Sequence, residues 1–170
     1  IPSLVLLPQA AEALDIPVVG CGGFSDAKSL VAALALGAEG IAMGTRFMAT
    51  KESLIHQNVK DKMTESDERS TNLMFRTMHN TARVFKNTIS DQVVEIESTG
   101  TATFEDVKDL VAGQRGRGVF EVGDLEAGIW SAGISVARVK DVPTCEELVS
   151  RLVSDAEAIM DGRLKEVRAS

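Results

Sequence analysis

Two short runs of consecutive apolar residues, 16–20 and 40–43, stand out from a chain whose other apolar positions are mostly spaced at three or four. Continuous apolarity closed by glycine predicts strands covered on both faces, as in parallel sheets. Between them, residues 26–36 are rich in alanine and leucine and end at Gly37, which predicts a helix with Ser25 as N-cap. Ahead of them Leu4, Leu7, Ala11 and Leu14 share one helical face, with Ser3 as cap and Pro8 in the early turns. Helices alternating with buried strands predict an α/β fold.

After Thr45 the pattern changes. Residues 51–63 predict a helix and 64–70 a polar connector. Leu73, Phe75 and Met78 hint at a strand, whereas 82–85 and 93–96 read as short helices. Residues 103–111 predict a helix capped by Thr103, with Glu105 and Asp106 in the first turn. Residues 113–123 read as a glycine-rich loop, and 124–139 as a helix that packs closely through Gly128, Trp130 and Gly133. Pro143 is expected to open the last helix, whose apolar face is Leu148, Leu152, Val153, Ala156 and Ile159. This divides the chain into 1–50, a strand-and-helix unit; 51–123, a mostly helical lid; and 124–170, helices packing back on the first unit.

The glycines carry the candidate chemistry. Each apolar strand stops at a glycine turn, Gly20, Gly22 and Gly23 after the first and Gly44 after the second. Glycine lets a backbone approach a ligand closely, and unpaired N–H groups near a helix start attract anions. Two such turns on adjacent parallel strands can grip one phosphate through N–H groups near Gly22, Gly23, Gly44 and Thr45, with the Thr45 hydroxyl as a further donor. In (β/α)8 barrels the loops after the last two strands are the usual phosphate site.

Composition narrows the partners. The 170 residues carry a net charge of −7, which argues against nucleic acid. No apolar run reaches the ~20 residues of a membrane helix, and two cysteines make no disulfide framework. A cytoplasmic setting, a small-molecule substrate and a possible homo-oligomer are the expectations. No His, Cys and Asp group has zinc spacing, so no metal is expected. The start at Ile1 without Met reads as the downstream part of a longer polypeptide, and two strands alone cannot cover their own faces.

The stretch Pro17-Val-Val-Gly-Cys-Gly-Gly-Phe-Ser-Asp26, followed by Ala33 to Phe47 with its Met43-Gly-Thr-Arg-Phe47 ending, resembles the nitronate monooxygenase (2-nitropropane dioxygenase) family. Ile1 to Pro8, Glu126 to Gly133 and Asp141 to Leu148 resemble further parts of it. The resemblance implies the C-terminal half of a TIM (β/α)8 barrel that uses FMN to oxidise alkyl nitronates with oxygen. The alternatives on that fold are an NAD(P)H-dependent flavin reductase of quinone or enoyl-acyl-carrier-protein type, or an inactive half-barrel.

By the same resemblance Gly22, Gly23, Met43, Gly44 and Thr45 are the cofactor-binding positions, and Cys21 lies beside the flavin without a catalytic role. The family's catalytic His is expected upstream of Ile1, so no catalytic residue is assigned. Ile134 stands where the family commonly has Gln. His56 and His79 read as structural, Trp130 as core, and Arg115 and Arg117 as part of a solvated loop.

Overall fold

A computed structural model describes residues 1–167. Its first part is α1 (Ser3–Ala13), β1 (Val19–Cys21), α2 (Ala27–Ala35) and β2 (Gly40–Ala42). β1 and β2 pair in parallel, with Val19 opposite Gly40, Gly20 opposite Ile41 and Cys21 opposite Ala42. One face of this pair meets the helices. Ile41 packs against a cluster of Leu7, Phe24, Ala33 and Ala38, and a Cβ on Gly20 would lie 3.0 Å from the Phe24 ring. The other face is open among the described residues, where Val19, Cys21 and Ala42 are exposed. Strands expected to be covered twice are thus covered once.

Local chemistry moves several boundaries. α2 is capped by Asp26, not Ser25. The Asp26 carboxylate accepts the Ser29 N–H at 2.9 Å, while Ser29 Oγ accepts the Ser25 and Asp26 N–H groups at 3.1 Å. Ser3 is the first residue of α1 rather than its cap, and Pro8 falls in the second turn. Of the four apolar positions expected to form that helix's inner face, only Leu7 is buried; Leu4 and Leu14 are exposed.

Beyond β2 the chain forms α3 (Thr45–Met48), α4 (Gln57–Thr64), β3 (Thr71–Met74), β4 (Ala82–Phe85), α5 (Thr88–Glu97), α6 (Phe104–Val107), α7 (Gly113–Val122), a 3-10 turn (Ile134–Arg138), α8 (Cys145–Asp161) and α9 (Arg163–Glu166). The helix expected over 51–63 starts only at Gln57, because His56 Nδ1 caps it by accepting the Asn58 N–H at 3.2 Å. Residues 82–85 are a strand, paired antiparallel with β3 so that Thr71 faces Phe85 and Met74 faces Ala82. The region 51–123 is therefore not simply helical. α8 begins after Thr144, which caps it with Glu147. Its Ala156 packs with Ala27 and Val31 of α2, whereas Val153 is exposed.

Two further expectations are reversed together. Residues 113–122 form α7, and 124–139 form no α-helix; the segment runs past β4, with a bridge between Val84 and Ser131 and the Phe85 N–H donating to the Trp130 carbonyl at 2.9 Å. The glycines explain both. A Cβ on Gly128 would lie 2.6 Å from the Arg115 carbonyl carbon, and one on Gly116 would lie 3.0 Å from the Ile129 oxygen. The α7 glycines let a helix lie backbone-to-backbone on the 127–129 segment; they do not break it. At the centre Trp130, 2% exposed, stacks on Phe85 with ring centroids 4.2 Å apart.

Candidate functional site

The parallel register sets the two glycine turns side by side, since Gly22 and Met43 each follow the last paired residues, Cys21 and Ala42. Gly22 and Gly23 both have φ of 89°, a left-handed backbone that glycine adopts without strain. A Cβ on Gly22, Gly23 or Gly44 would meet nothing within 4 Å, so the space over both turns is open. Among the described residues the N–H groups of Gly22, Gly23, Gly44 and Thr45 have no protein acceptor. Unpaired N–H groups around an open space suit an anionic oxygen.

The neighbouring helix start contributes only in part. The N–H groups of Ser25, Asp26 and Ser29 are consumed by the α2 capping box, which leaves those of Ala27 and Lys28 without an acceptor beside the donors of the turn. Thr45 Oγ1 accepts the Gly133 N–H at 2.9 Å, which leaves its own proton available to donate. Met43 is oriented differently from the rest of the expected set. Its side chain packs with the Leu7, Phe24, Ala33 and Ala38 cluster, so only its backbone belongs to the turn.

Behind the second turn Arg46, 3% exposed, donates from Nη2 to the carbonyls of Ala49 and Asp141 at 3.2 and 2.9 Å. It also pairs with Asp141 Oδ1 at 3.2 Å. Burial pulls the Arg46 guanidinium below its ordinary value, and Asp141 opposes that. Arg151 donates to Asp141 Oδ2 at 2.6 Å. The Asp141 carboxyl is held below its usual range, first by Arg151 and, against some burial, by Arg46. On the other side Arg138 donates to Asp26 Oδ2 at 2.8 Å. Burial raises the Asp26 carboxyl, but hydrogen bonds from Ser29 and Arg138 outweigh it and leave it low. These pairs tie the segment after Gly133 to both turns.

The remaining singled-out residues scatter. Cys21 is exposed on the open face of β1, Ile134 is 48% exposed directly after Gly133, and His56 is the α4 cap. His79 has a positive φ of 54° in the β3–β4 loop, as does Phe75 at 60°. That loop is pinned by Glu97, which accepts the Phe75 N–H at 2.7 Å and both the N–H and hydroxyl of Thr77. The sequence reading missed Gly133, Arg46 and Asp141; only the Thr-Arg pair after Gly44 carries a signal for any of them. Among the described residues no group of three or more His, Cys, Asp or Glu is placed to hold a metal, and no helix is long and apolar enough to cross a membrane.

The class this defines is an α/β protein with two glycine turns at the ends of adjacent parallel strands. The nitronate monooxygenase family model matches residues 2–155, and the chain belongs to that family, an oxidoreductase family. A probable nitronate monooxygenase of Bacillus subtilis is 28% identical, with 89% of this chain and 43% of that protein covered. A (3aS,4S,5R,7aS)-5-hydroxy-7a-methyl-1-oxo-octahydro-1H-indene-4-carboxyl-CoA dehydrogenase of Rhodococcus jostii is 29% identical, covering 92% of this chain and 54% of that one. Among solved structures, FabK of Thermotoga maritima aligns over 98% of this chain and 52% of its own, with a TM-score of 0.90 at 25% identity. Nitroalkane oxidase of Streptomyces ansochromogenes aligns over 94% and 46%, with a TM-score of 0.70 at 28% identity. The chain spans about half the length of the curated relatives it matches.

Proposed function

We propose that this chain is the cofactor-phosphate end of a TIM (β/α)8 barrel whose complete form is an FMN-dependent oxidoreductase acting on alkyl nitronates with oxygen. The observation that carries the reading is the pair of open turns at Gly22–Gly23 and Gly44–Thr45, abreast on parallel strands, with N–H groups that have no protein acceptor. The donor set suits a phosphate: four backbone N–H groups and the Thr45 hydroxyl, with no carboxylate among them. Bound FMN would supply the redox chemistry. Gly22, Gly23, Gly44 and Thr45 would hold its phosphate, Met43 taking part through its backbone alone. Val19, Cys21 and Ala42, open on the strand face, would be covered by the remaining strands of the barrel. No residue of this chain is assigned the proton chemistry.

A flavin reductase of the enoyl-acyl-carrier-protein type is the second reading. It is favoured by the higher TM-score to FabK, 0.90 against 0.70 for nitroalkane oxidase, and by Ile134 in place of the family's common Gln.

The complete protein mixed with FMN and desalted tests the cofactor reading: retained absorbance near ~450 nm supports it, and a colourless protein refutes it. In the complete protein, oxygen uptake on adding an alkyl nitronate supports the first activity. Bleaching by NAD(P)H with no response to the nitronate supports the second.

A further inference from the structure

Ser135 is 6% exposed, and its hydroxyl makes no hydrogen bond to the protein among the described residues. A buried polar group without a partner is uncommon enough to need a reason. The oxygen is not sealed in. Arg46 Nε and Trp130 Nε1 also lack a partner but are out of reach of water, and Ser135 Oγ is not in that state. An accessible hydroxyl on an otherwise buried residue faces an open space.

Gly133 shows which space that is. A Cβ on Gly133 would lie 3.2 Å from Thr45 Oγ1 and 3.4 Å from Ser135 Oγ. The two hydroxyls therefore flank one point, and the absence of a side chain at Gly133 keeps it clear. Thr45 belongs to the second glycine turn, and its proton is free because its oxygen accepts the Gly133 N–H. Each hydroxyl reaches an acceptor oxygen at about 2.7 Å, so one tetrahedral oxyanion beside Gly133 can take a bond from both. The segment that carries Ser135 is fixed on either side. Gly133 is bonded to Thr45, and Arg138 donates to Asp26 Oδ2 from Nε and Nη2 at 3.1 and 2.8 Å. Ser135 is thus set at the turn before any ligand arrives, and the charge of Asp26 is answered.

We propose that Ser135 is a further phosphate-binding residue, its hydroxyl donating to the same cofactor phosphate as the Thr45 hydroxyl. This role rests on the flavin reading above and adds to it a donor that lies outside both glycine turns. A hydroxyl on a phosphate oxygen is a charge-assisted bond. Ser135 therefore discriminates between flavins that carry the phosphate and those that do not.

The complete protein is titrated with FMN and, separately, with riboflavin, which has the same ring and ribityl chain without the phosphate, while flavin fluorescence is followed. The parent is expected to prefer FMN. Ser135→Ala is expected to weaken FMN about tenfold or more, the range of a lost hydrogen bond to a charged group. Riboflavin affinity and the unfolding midpoint of the flavin-free protein are expected to stay close to the parent's. Weakening of both flavins alike, or a fall in the unfolding midpoint alongside the loss of FMN, would make Ser135 a structural residue and overturn the proposal. Undiminished FMN affinity in Ser135→Ala overturns it too, while a parent that prefers FMN leaves the flavin reading standing. A parent that binds the two flavins equally removes the phosphate site, and the role of Ser135 with it.

Discussion

The Thr45 hydroxyl accepts the Gly133 N–H at 2.9 Å, joining positions 88 residues apart in sequence. The bond sets the second glycine turn against the segment that comes back from the β3–β4 hairpin. Thr45→Val is expected to lower stability by about 1 kcal/mol, the usual net worth of such a bond. Thr45→Ser should restore it. Urea unfolding of the three proteins measures this; equal midpoints for Ser and Val would remove the hydroxyl from the account.

The glycines of the two turns should respond differently to alanine. Gly22 and Gly23 have φ of 89°, so alanine at either is expected to cost about 1–2 kcal/mol of stability. Gly44 has an ordinary φ of −88° and open space at its Cβ. Gly44→Ala should therefore change stability by less than about 0.5 kcal/mol. Gly44→Val is expected to reduce FMN retention while folding is kept, read by desalting and absorbance beside an unfolding curve.

Two glycines in the α7 contact should give shifts of opposite sign. Gly128→Ala drives a Cβ against the Arg115 backbone at 2.6 Å and is expected to cost about 1–3 kcal/mol. A Cβ on Gly118 would lie 3.5 Å from that of Ala127, ordinary contact. Gly118→Ala should stabilise by about 0.5–1 kcal/mol through helix propensity. Thermal unfolding of both variants decides it.

Acid should loosen the clasp at Asp141. Its carboxyl is held below the usual range by Arg151 and Arg46. A carboxyl whose folded pKa is lowered contributes stability above its unfolded value, and that contribution fades as pH falls through the folded value. The window opens near the ordinary carboxylate range of about 4 and extends downward. Urea midpoints taken from neutral pH into that window should fall less steeply for Asp141→Asn than for the parent, with Asp141→Asn the weaker of the two at neutral pH. Parallel acid limbs would exclude Asp141 as a source of the slope.

Glu97 is 9% exposed and holds the loop containing Phe75 and His79 in their left-handed conformations. Glu97→Ala is expected to cost about 1–2 kcal/mol, because it removes the acceptor of the part-buried Phe75 and Thr77 N–H groups. Limited proteolysis should then cut within 75–81 much faster than in the parent.

What could be read in advance followed from how local each signal was. The β1–α2–β2 unit was legible because its strands are short continuous apolar runs and its turns need glycine. The four residues of β4 were read as helix, since a short apolar run has no decisive period and its partner, β3, lies outside any local window. The same limit hid α7. Gly116 and Gly118 look like loop glycines until residues 127–129 are laid across them. Of the candidate site, Gly22, Gly23, Gly44 and Thr45 are brought together by the register of one strand pair. Gly133 could not be placed beside them, because its role is a single bond across 88 residues.

Residues 130–133 touch two places in quick succession. Trp130 and Ser131 bind β4, and two residues later Gly133 binds Thr45. So short a connection leaves no slack. The position of the open turn and the position of the hairpin are therefore set by the same four residues. Two regions far apart in sequence are in this way geared to each other.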